Sequence, residues 1–289
     1  MLEENYIDIN GNRMCWFEWG IPDGRPTILL CHATGFHARC WDQTIHFLGD
    51  RHVIAVDFRG HGRSGNEEPL TWASFGDDLA RFVAALDLAN LTAAGHSMGG
   101  HSVVQAVCAE PQRFSRLLLV DPVILDPAAY SGERFHSALL NDVGEHPVAR
   151  RKNRFADPAA MFANFDGRGA YGLWQTSVLR DYCEHGLLPA PDGDGMVLAC
   201  PPAVEALIYM GSSGLDLYDR LASIMQPVVV LRAPGRDPAE TVMDFSKSPT
   251  FAGLADRFPA GKDVYLPDLT HFIPMQRPDL VARYLLEDL

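Results

Sequence analysis

Short runs of uninterrupted apolar residues recur along this chain, separated by longer stretches in which apolar positions repeat every three or four residues. The runs are Thr27–Cys31, Val53–Asp57, the residues leading up to Gly95, Ser115–Val120, Pro227–Leu231 and Lys262–Leu266. An unbroken apolar run of this length marks a strand buried on both faces. Between the runs, Ala38–Leu48, Trp72–Leu88, the stretch from Ser97 to about Ala109, and Gln276–Leu286 read as helices. In Trp72–Leu88 the residues Phe75, Leu79, Phe82, Val83 and Leu86 fall on one side. Alternation of this kind predicts a mostly parallel sheet with helices on both faces. Ahead of it, Tyr6–Ile9 and Arg13–Trp19 alternate apolar and polar residues around Asn10-Gly11, the pattern of a β-hairpin.

The pattern breaks between residues 125 and 215. This stretch has no clear buried strand and is rich in Phe, Tyr, Trp and Met. Its helix-like pieces are interrupted by Gly and Pro, with a surface turn at Pro189–Gly195. It reads as an inserted cap on a core made of residues 1–124 and 216–289.

The strained point of the chain is Gly95-His96-Ser97-Met98-Gly99, a strand, a sharp turn and a helix start in succession. At so tight a turn the strand and helix pass close together, and side chains two positions either side of the tip would collide; both positions are Gly. Ser97 is thereby held above the sheet edge. The Met98 N–H and the helix N-terminus point at the same place, where a negative oxygen can be held.

A serine hydroxyl needs a base, and the base needs a carboxylate to fix its tautomer. In sheets built around such a turn these follow in the order Ser, Asp/Glu, His, on loops after strands. His271 lies directly after the last strand. His101 falls in the helix after the turn, and His136, His146 and His185 fall in the inserted segment. Asp237, after Pro227–Leu231, is the first choice for the acid. Asp121, after Ser115–Val120, is the second, and Asp244 lies further along the Asp237 loop. The loop His32-Ala33-Thr34-Gly35 supplies a second N–H, at Thr34, to pair with Met98. His32 reads as a buried histidine that shapes this loop.

Gly60-His61-Gly62-Arg63-Ser64-Gly65 matches G-x-G-x-x-G, but Asn66-Glu67-Glu68-Pro69 follows it in place of a helix. A structural turn is the better reading than a dinucleotide site. There is no phosphate-binding G-K-[ST], and no His, Cys or Glu spacing suggests a metal, so no cofactor is expected.

Composition narrows the partners. The 289 residues carry a formal charge of −13, which argues against nucleic acid and anionic membrane surfaces. The cysteines Cys15, Cys31, Cys40, Cys108, Cys183 and Cys200 form no C-x-x-C pair and read as reduced thiols. Met1–Asn5 has no apolar leader pattern and no run is long enough to span a bilayer, so a soluble cytoplasmic protein is expected.

Taken together, these motifs resemble the α/β-hydrolase fold superfamily, in its serine-nucleophile branch, across nearly the whole chain. His32-Ala33-Thr34-Gly35-Phe36 resembles its His-Gly oxyanion loop, with Ala33 standing where Gly is usual. Asp57-Phe58-Arg59-Gly60-His61-Gly62-Arg63-Ser64 resembles its D-x-R-G-x-G-x-S turn, and Thr270-His271-Phe272 its histidine loop. Ser97 in place of Asp speaks against the dehalogenase and epoxide-hydrolase branches. The resemblance implies a mostly parallel eight-stranded sheet, a helical cap that sets specificity, and a small-molecule substrate. Phe36, His37, Phe162, Trp174, Tyr209 and Phe272 are candidate pocket residues, beside Met161, Phe165, Tyr171 and Met210, which also suit cap core. Arg39 also follows the oxyanion loop. The basic run Arg150-Arg151-Lys152-Asn153-Arg154 reads as a solvated face rather than a carboxylate receptor. The expected activity is hydrolysis of a carboxylic ester or lactone through an acyl-enzyme at Ser97. The alternatives are hydrolysis of a carbon–carbon bond in a diketone, and a non-catalytic small-ligand receptor.

Overall fold

A computed structural model of the chain describes residues 2, 4–130, 146–212, 215–236 and 244–287. The chain opens with a hairpin of β1 (Glu4–Ile9) and β2 (Asn12–Trp19), turned by Asn10 and Gly11 at φ 54° and 71°. β3 (Thr27–Cys31) leads through a 3-10 turn at Ala38–Trp41 into α1 (Asp42–His46), then β4 (Val53–Asp57) and α2 (Trp72–Ala85). The Thr71 hydroxyl caps α2 by accepting the Ser74 N–H at 3.3 Å. β5 (Leu91–His96), α3 (Met98–Ala109) and β6 (Phe114–Val120) follow.

The next segment contains α4 (Pro127–Tyr130), β7 (Arg154–Phe155), α5 (Pro158–Phe165), α6 (Thr176–His185), β8 (Leu187–Pro189), β9 (Met196–Leu198) and α7 (Pro202–Met210). Strands β7, β9 and β8 make a separate three-stranded antiparallel sheet. The sequence reading found no strand here, because pieces of two or three residues are too short to show alternation. The chain then returns through α8 (Tyr218–Leu221), β10 (Val228–Arg232), β11 (Gly261–Tyr265), α9 (Ile273–Gln276) and α10 (Pro278–Leu286).

The main sheet has eight strands in the order β1-β2-β4-β3-β5-β6-β10-β11, parallel from β4 to β11. Along β3 and β4, alternate side chains go to opposite faces. Leu29, Cys31, Ile54 and Val56 join a core under α2 and α3; Ile28, Leu30, Val53 and Ala55 join a second core under α1 and α10. β11 differs from expectation: it is an edge strand with β10 as its neighbour and is largely exposed rather than buried. A third cluster, around Met161, Trp174, Leu179 and Tyr182, holds the inserted segment together and reaches Cys40 and Met275 of the main body. Among the described residues no helix is long and apolar enough to cross a membrane.

Register sets the site. Cys31 is level with Gly95, His96 with Val120, and Val120 with Leu231. The residues just past these four strands, Thr34, Ser97, Asp121 and Ala233, therefore gather at one edge of the sheet.

Candidate active site

β5 ends at His96 and α3 starts at Met98, so Ser97 alone makes the turn, at φ 57° and ψ −119°. Such a backbone is disfavoured for a residue with a side chain and persists only where its surroundings over-determine it. Here the Ser97 N–H donates to Val120 O at 3.1 Å, and Ser97 O accepts from Val123 N at 3.2 Å. A Cβ on Gly95 would run into the Gly99 carbonyl, and one on Gly99 into the Cys31 carbonyl, which is the steric demand read from the sequence.

The His271 imidazole reaches Ser97 on one side and a carboxylate on the other. Nε2 lies 3.0 Å from Ser97 Oγ, and Nδ1 lies 2.6 Å from Asp121 Oδ2. A carboxylate acceptor at Nδ1 puts the proton there and leaves Nε2 bare to accept the serine hydroxyl. Asp121 is fully buried, and its second oxygen accepts from the Ala233 N–H at 2.9 Å and the Ser248 hydroxyl at 2.7 Å. The carboxylate at His271 is therefore Asp121, a correction of the first choice, Asp237, which itself lies outside the described residues. The reason is spatial. β6 lies between β5 and β10, so one step past its end stands beside Ser97, and Ala233, the residue after β10, supplies an N–H to hold the side chain. Asp244 is exposed and accepts from the Ser246 N–H at 2.8 Å.

The loop bearing Thr34 is clamped by two buried histidines. His32 donates from Nδ1 to Ala33 O at 2.8 Å and accepts the Phe58 N–H at Nε2, 3.0 Å away. His61 accepts the Gly35 N–H at Nε2 and donates from Nδ1 to Arg59 O, both at 3.0 Å. Each ring thus serves once as donor and once as acceptor, the role of a neutral imidazole. Burial enforces this by pushing His61 down to about 4 and His32 well below its usual value. Thr34 Oγ1 contacts Met98 Sδ at 3.3 Å, so the two residues expected to supply N–H groups are packed together beside Ser97. Met98 opens α3, where N–H groups have no acceptor within the helix. Ala33, in the usual place of Gly, is buried and borders the same cavity.

The glycine-rich turn at 60–65 is spent on internal bonds. It wraps the Asp57 carboxylate, which accepts from Ala38 N at 2.7 Å and Arg63 N at 2.8 Å. A Cβ on Gly62 would collide with that carboxylate. Alongside, Arg59 and Asp78 form a buried two-pronged pair at 2.6 and 2.8 Å. Breaking such a pair from one side costs about 3–5 kcal/mol.

A cavity of about 210 Å³ opens over Ser97 and His271. Of the residues expected from the sequence, Phe36, Tyr209 and Phe272 line it. Trp174 packs behind, its ring 5.6 Å from Phe36 and 5.5 Å from Phe272, and lines an adjoining cavity of about 250 Å³. His37 is buried away from the first cavity, stacked on Tyr182 and bonded to its carbonyl at 3.1 Å. Phe162 packs against the third cluster under the Arg180 guanidinium. Phe245, Trp72 and Leu125 line the cavity without having been anticipated. The apolar run Val123-Ile124-Leu125, just past β6, was the available signal for Leu125; Phe245 sits in an irregular loop with none. The basic run splits: Arg154 faces solvent on Asp192, whereas Arg151 turns inward onto Glu205. Among the described residues no cluster of three or more His, Cys, Asp or Glu could hold a metal ion.

A sequence model of the alpha/beta hydrolase family matches residues 28–284. The chain is 26% identical over 262 residues to Lipase LipV of Mycobacterium tuberculosis, spanning 90% of this chain and 92% of that one. It is 27% identical over 268 residues to the putative carbamate hydrolase RutD of Agrobacterium fabrum, spanning 91% and 92%. Among solved structures it resembles E-2-(acetamidomethylene)succinate hydrolase with a TM-score of 0.75 at 22% identity, covering 99% of this chain and 98% of the other. Likeness at that identity concerns the fold.

Proposed function

Because this chain belongs to the alpha/beta hydrolase family, we propose that it is a serine hydrolase that cleaves a carboxylic ester or lactone of a small to medium, partly apolar substrate. The observation that carries the reading is the unbroken chain from Ser97 Oγ through His271 to Asp121 at the floor of the cavity. Full-length similarity to a lipase accords with ester chemistry.

The reaction follows from the donors and acceptors. Ser97 Oγ attacks the carbonyl carbon while its proton passes to His271 Nε2. The imidazolium formed is stabilised by the Asp121 carboxylate, whose other oxygen stays on Ala233 N and Ser248 Oγ. The carbonyl oxygen, now negative, is received by the Met98 and Thr34 N–H groups. His271 then returns its proton to the departing alkoxide, leaving the acyl group on Ser97. A water molecule, deprotonated by the same Nε2, releases the acid and restores the serine. The segment read from the sequence as an insertion, residues 125–215, is assigned as the cap, with Leu125, Tyr209 and Ser212 on the cavity lining, and Phe36, Tyr209, Phe245 and Phe272 hold the apolar part of the substrate.

The test is the intact mass of the protein after exposure to a small fluorophosphonate, for wild type, Ser97→Ala and His271→Ala. A single adduct on wild type alone is expected. It is followed by turnover of a panel of activated esters, lactones and a vinylogous diketone. No adduct on folded wild type overturns the reading. Turnover of the diketone without the esters reassigns the chemistry to carbon–carbon cleavage, and tight ligand binding without turnover reassigns the protein as a receptor.

A further inference from the structure

The cavity over Ser97 adjoins the second cavity of about 250 Å³, and Thr34, Phe36, Tyr209, Phe245 and Phe272 border both. The first is mainly apolar, with Asp244 and Lys247 also on its lining. The second is also mainly apolar, and Arg151, Glu205, Tyr171 and Tyr182 are among its lining residues. Arg151 donates to Glu205 Oε2 at 2.6 Å and to the Tyr182 hydroxyl at 3.0 Å. The two charges are not equally accessible: the Arg151 side chain is 22% exposed and the Glu205 side chain 5%. Glu205 sits behind the Thr34 loop, its carboxylate against Gly35. The lobe thus presents guanidinium N–H groups while a buried carboxylate cancels their charge.

We propose that this lobe receives the far end of the substrate and selects an uncharged terminus that accepts hydrogen bonds, such as a carboxamide or hydroxyl, with Glu205 as the residue that excludes a carboxylate. A guanidinium has five N–H donors in a fixed fork, and Glu205 and Tyr182 are its hydrogen-bond partners among the described residues. A neutral oxygen gains a donor there without disturbing the balance of charge. A substrate carboxylate would share one guanidinium with the buried Glu205 carboxylate, and the two like charges would repel. A plain alkyl end would cover the Arg151 donors and give them nothing in return. Both lobes are mainly apolar, and the Arg151 donors stand on one wall of the second, so together they describe a largely greasy substrate with a neutral polar tip.

The inference rests on the serine-hydrolase reading for the position of the scissile bond, so its test reads binding without turnover. Medium-chain methyl ketones ending in a methyl, a carboxamide or a carboxylate replace the ester. Their dissociation constants are measured by calorimetry on the Ser97→Ala protein in mildly alkaline buffer, with and without Glu205→Gln. The carboxamide is expected to bind about tenfold tighter than the carboxylate. Glu205→Gln, which keeps the shape and removes the charge, is expected to reverse that order by freeing Arg151 for a two-pronged carboxylate. Ser97→Ala/Arg151→Met is expected to erase the difference between carboxamide and methyl ends. Ratios within one protein cancel any general change in the Thr34 loop. Equal binding of carboxamide and carboxylate, or an unchanged order in Glu205→Gln, overturns the inference. Turnover of p-nitrophenyl acetate by the wild type separately reports the chemistry at Ser97, so failure of the lobe and failure of the hydrolase reading are told apart.

Discussion

The Nε2–H of His96 donates to the backbone carbonyl of His271 at 2.8 Å, tying the last residue of β5 to the loop that carries the imidazole beside Ser97. The two rings lie 5.0 Å apart between centroids. One short bond thus links the two residues that flank the reacting hydroxyl, although they are 175 positions apart in sequence. The bond fixes the proton on Nε2, and burial keeps the His96 ring neutral by holding its pKa well below the usual range.

His96 is therefore a positioning residue. His96→Phe keeps a buried ring but leaves the His271 carbonyl without its donor. A displacement of the base by a fraction of an ångström is expected to lower kcat roughly 10- to 100-fold while KM changes little. His96→Gln, which can donate from its amide, is expected to recover part of the loss. Steady-state kinetics on an activated ester checks both. Equal kcat in wild type and His96→Phe shows that the bond has no part in aiming His271.

Much of this architecture was legible in the linear chain, and the failures have a common cause. The central strands announce themselves because a strand covered on both faces must be apolar at every position. The turn at Ser97 announces itself because Gly95 and Gly99 have no room for a Cβ. His271 was reachable by elimination among loops after strands. The acid was not, since Asp121, Asp237 and Asp244 all follow strand ends, and the choice depends on which strand lies next to β5 in space. That adjacency comes from the pairing of β6 with both β5 and β10, which no local pattern records. Arg151 was hidden in the same way. Within a basic run it looks like its neighbours, and its inward turn depends on Glu205, 54 residues away.

Asp121 carries its own prediction. Its Oδ2 accepts from His271 and its Oδ1 from Ala233 N and Ser248 Oγ, so the carboxylate is held from both ends. Asp121→Asn preserves the shape but places an amide where an acceptor is needed, favouring the wrong histidine tautomer. A fall in kcat of roughly 10³- to 10⁴-fold is expected, as for the equivalent change in other enzymes of this logic. Ser248→Ala removes one prong only and is expected to cost about tenfold in kcat, within the range of a single misplaced group, with Ser248→Thr restoring most of it. Asp237→Asn is expected to leave kcat near wild type. A large loss in Asp237→Asn with little effect of Asp121→Asn would return the acid to the residue first chosen from the sequence.

Buried neutral histidines also make the fold sensitive to acid. His61 and His101 are pushed down to about 4 by burial, and His32 and His96 well below the ordinary value. In the unfolded chain each takes up a proton near pH 6.5. Below that pH the unfolded state binds protons that the folded state refuses, so the stability these groups contribute is fully present above about pH 6.5. It is lost as the pH falls toward 4. Asp57 and Asp181 act in the opposite sense. Burial raises each carboxyl to about 6, so between its unfolded value and 6 the folded state holds the extra proton and gains stability on acidification. Asp42 and Glu205 are raised by burial as well, but the buried histidines, with His37 pushed down to about 3 and His185 to about 4 besides those above, outnumber the carboxylates and set the sign. Unfolding free energies from urea titrations at pH 8 to pH 4 are expected to fall, by up to about 1.4 kcal/mol per pH unit for each unmatched histidine. His101→Phe, at a ring that accepts from the Gln105 amide at 2.9 Å, is expected to flatten the slope by about one proton even if it lowers stability throughout. A profile that is level, or that rises toward pH 4, would mean that these rings are charged in the folded protein and that the Thr34 loop is held by some other arrangement of protons.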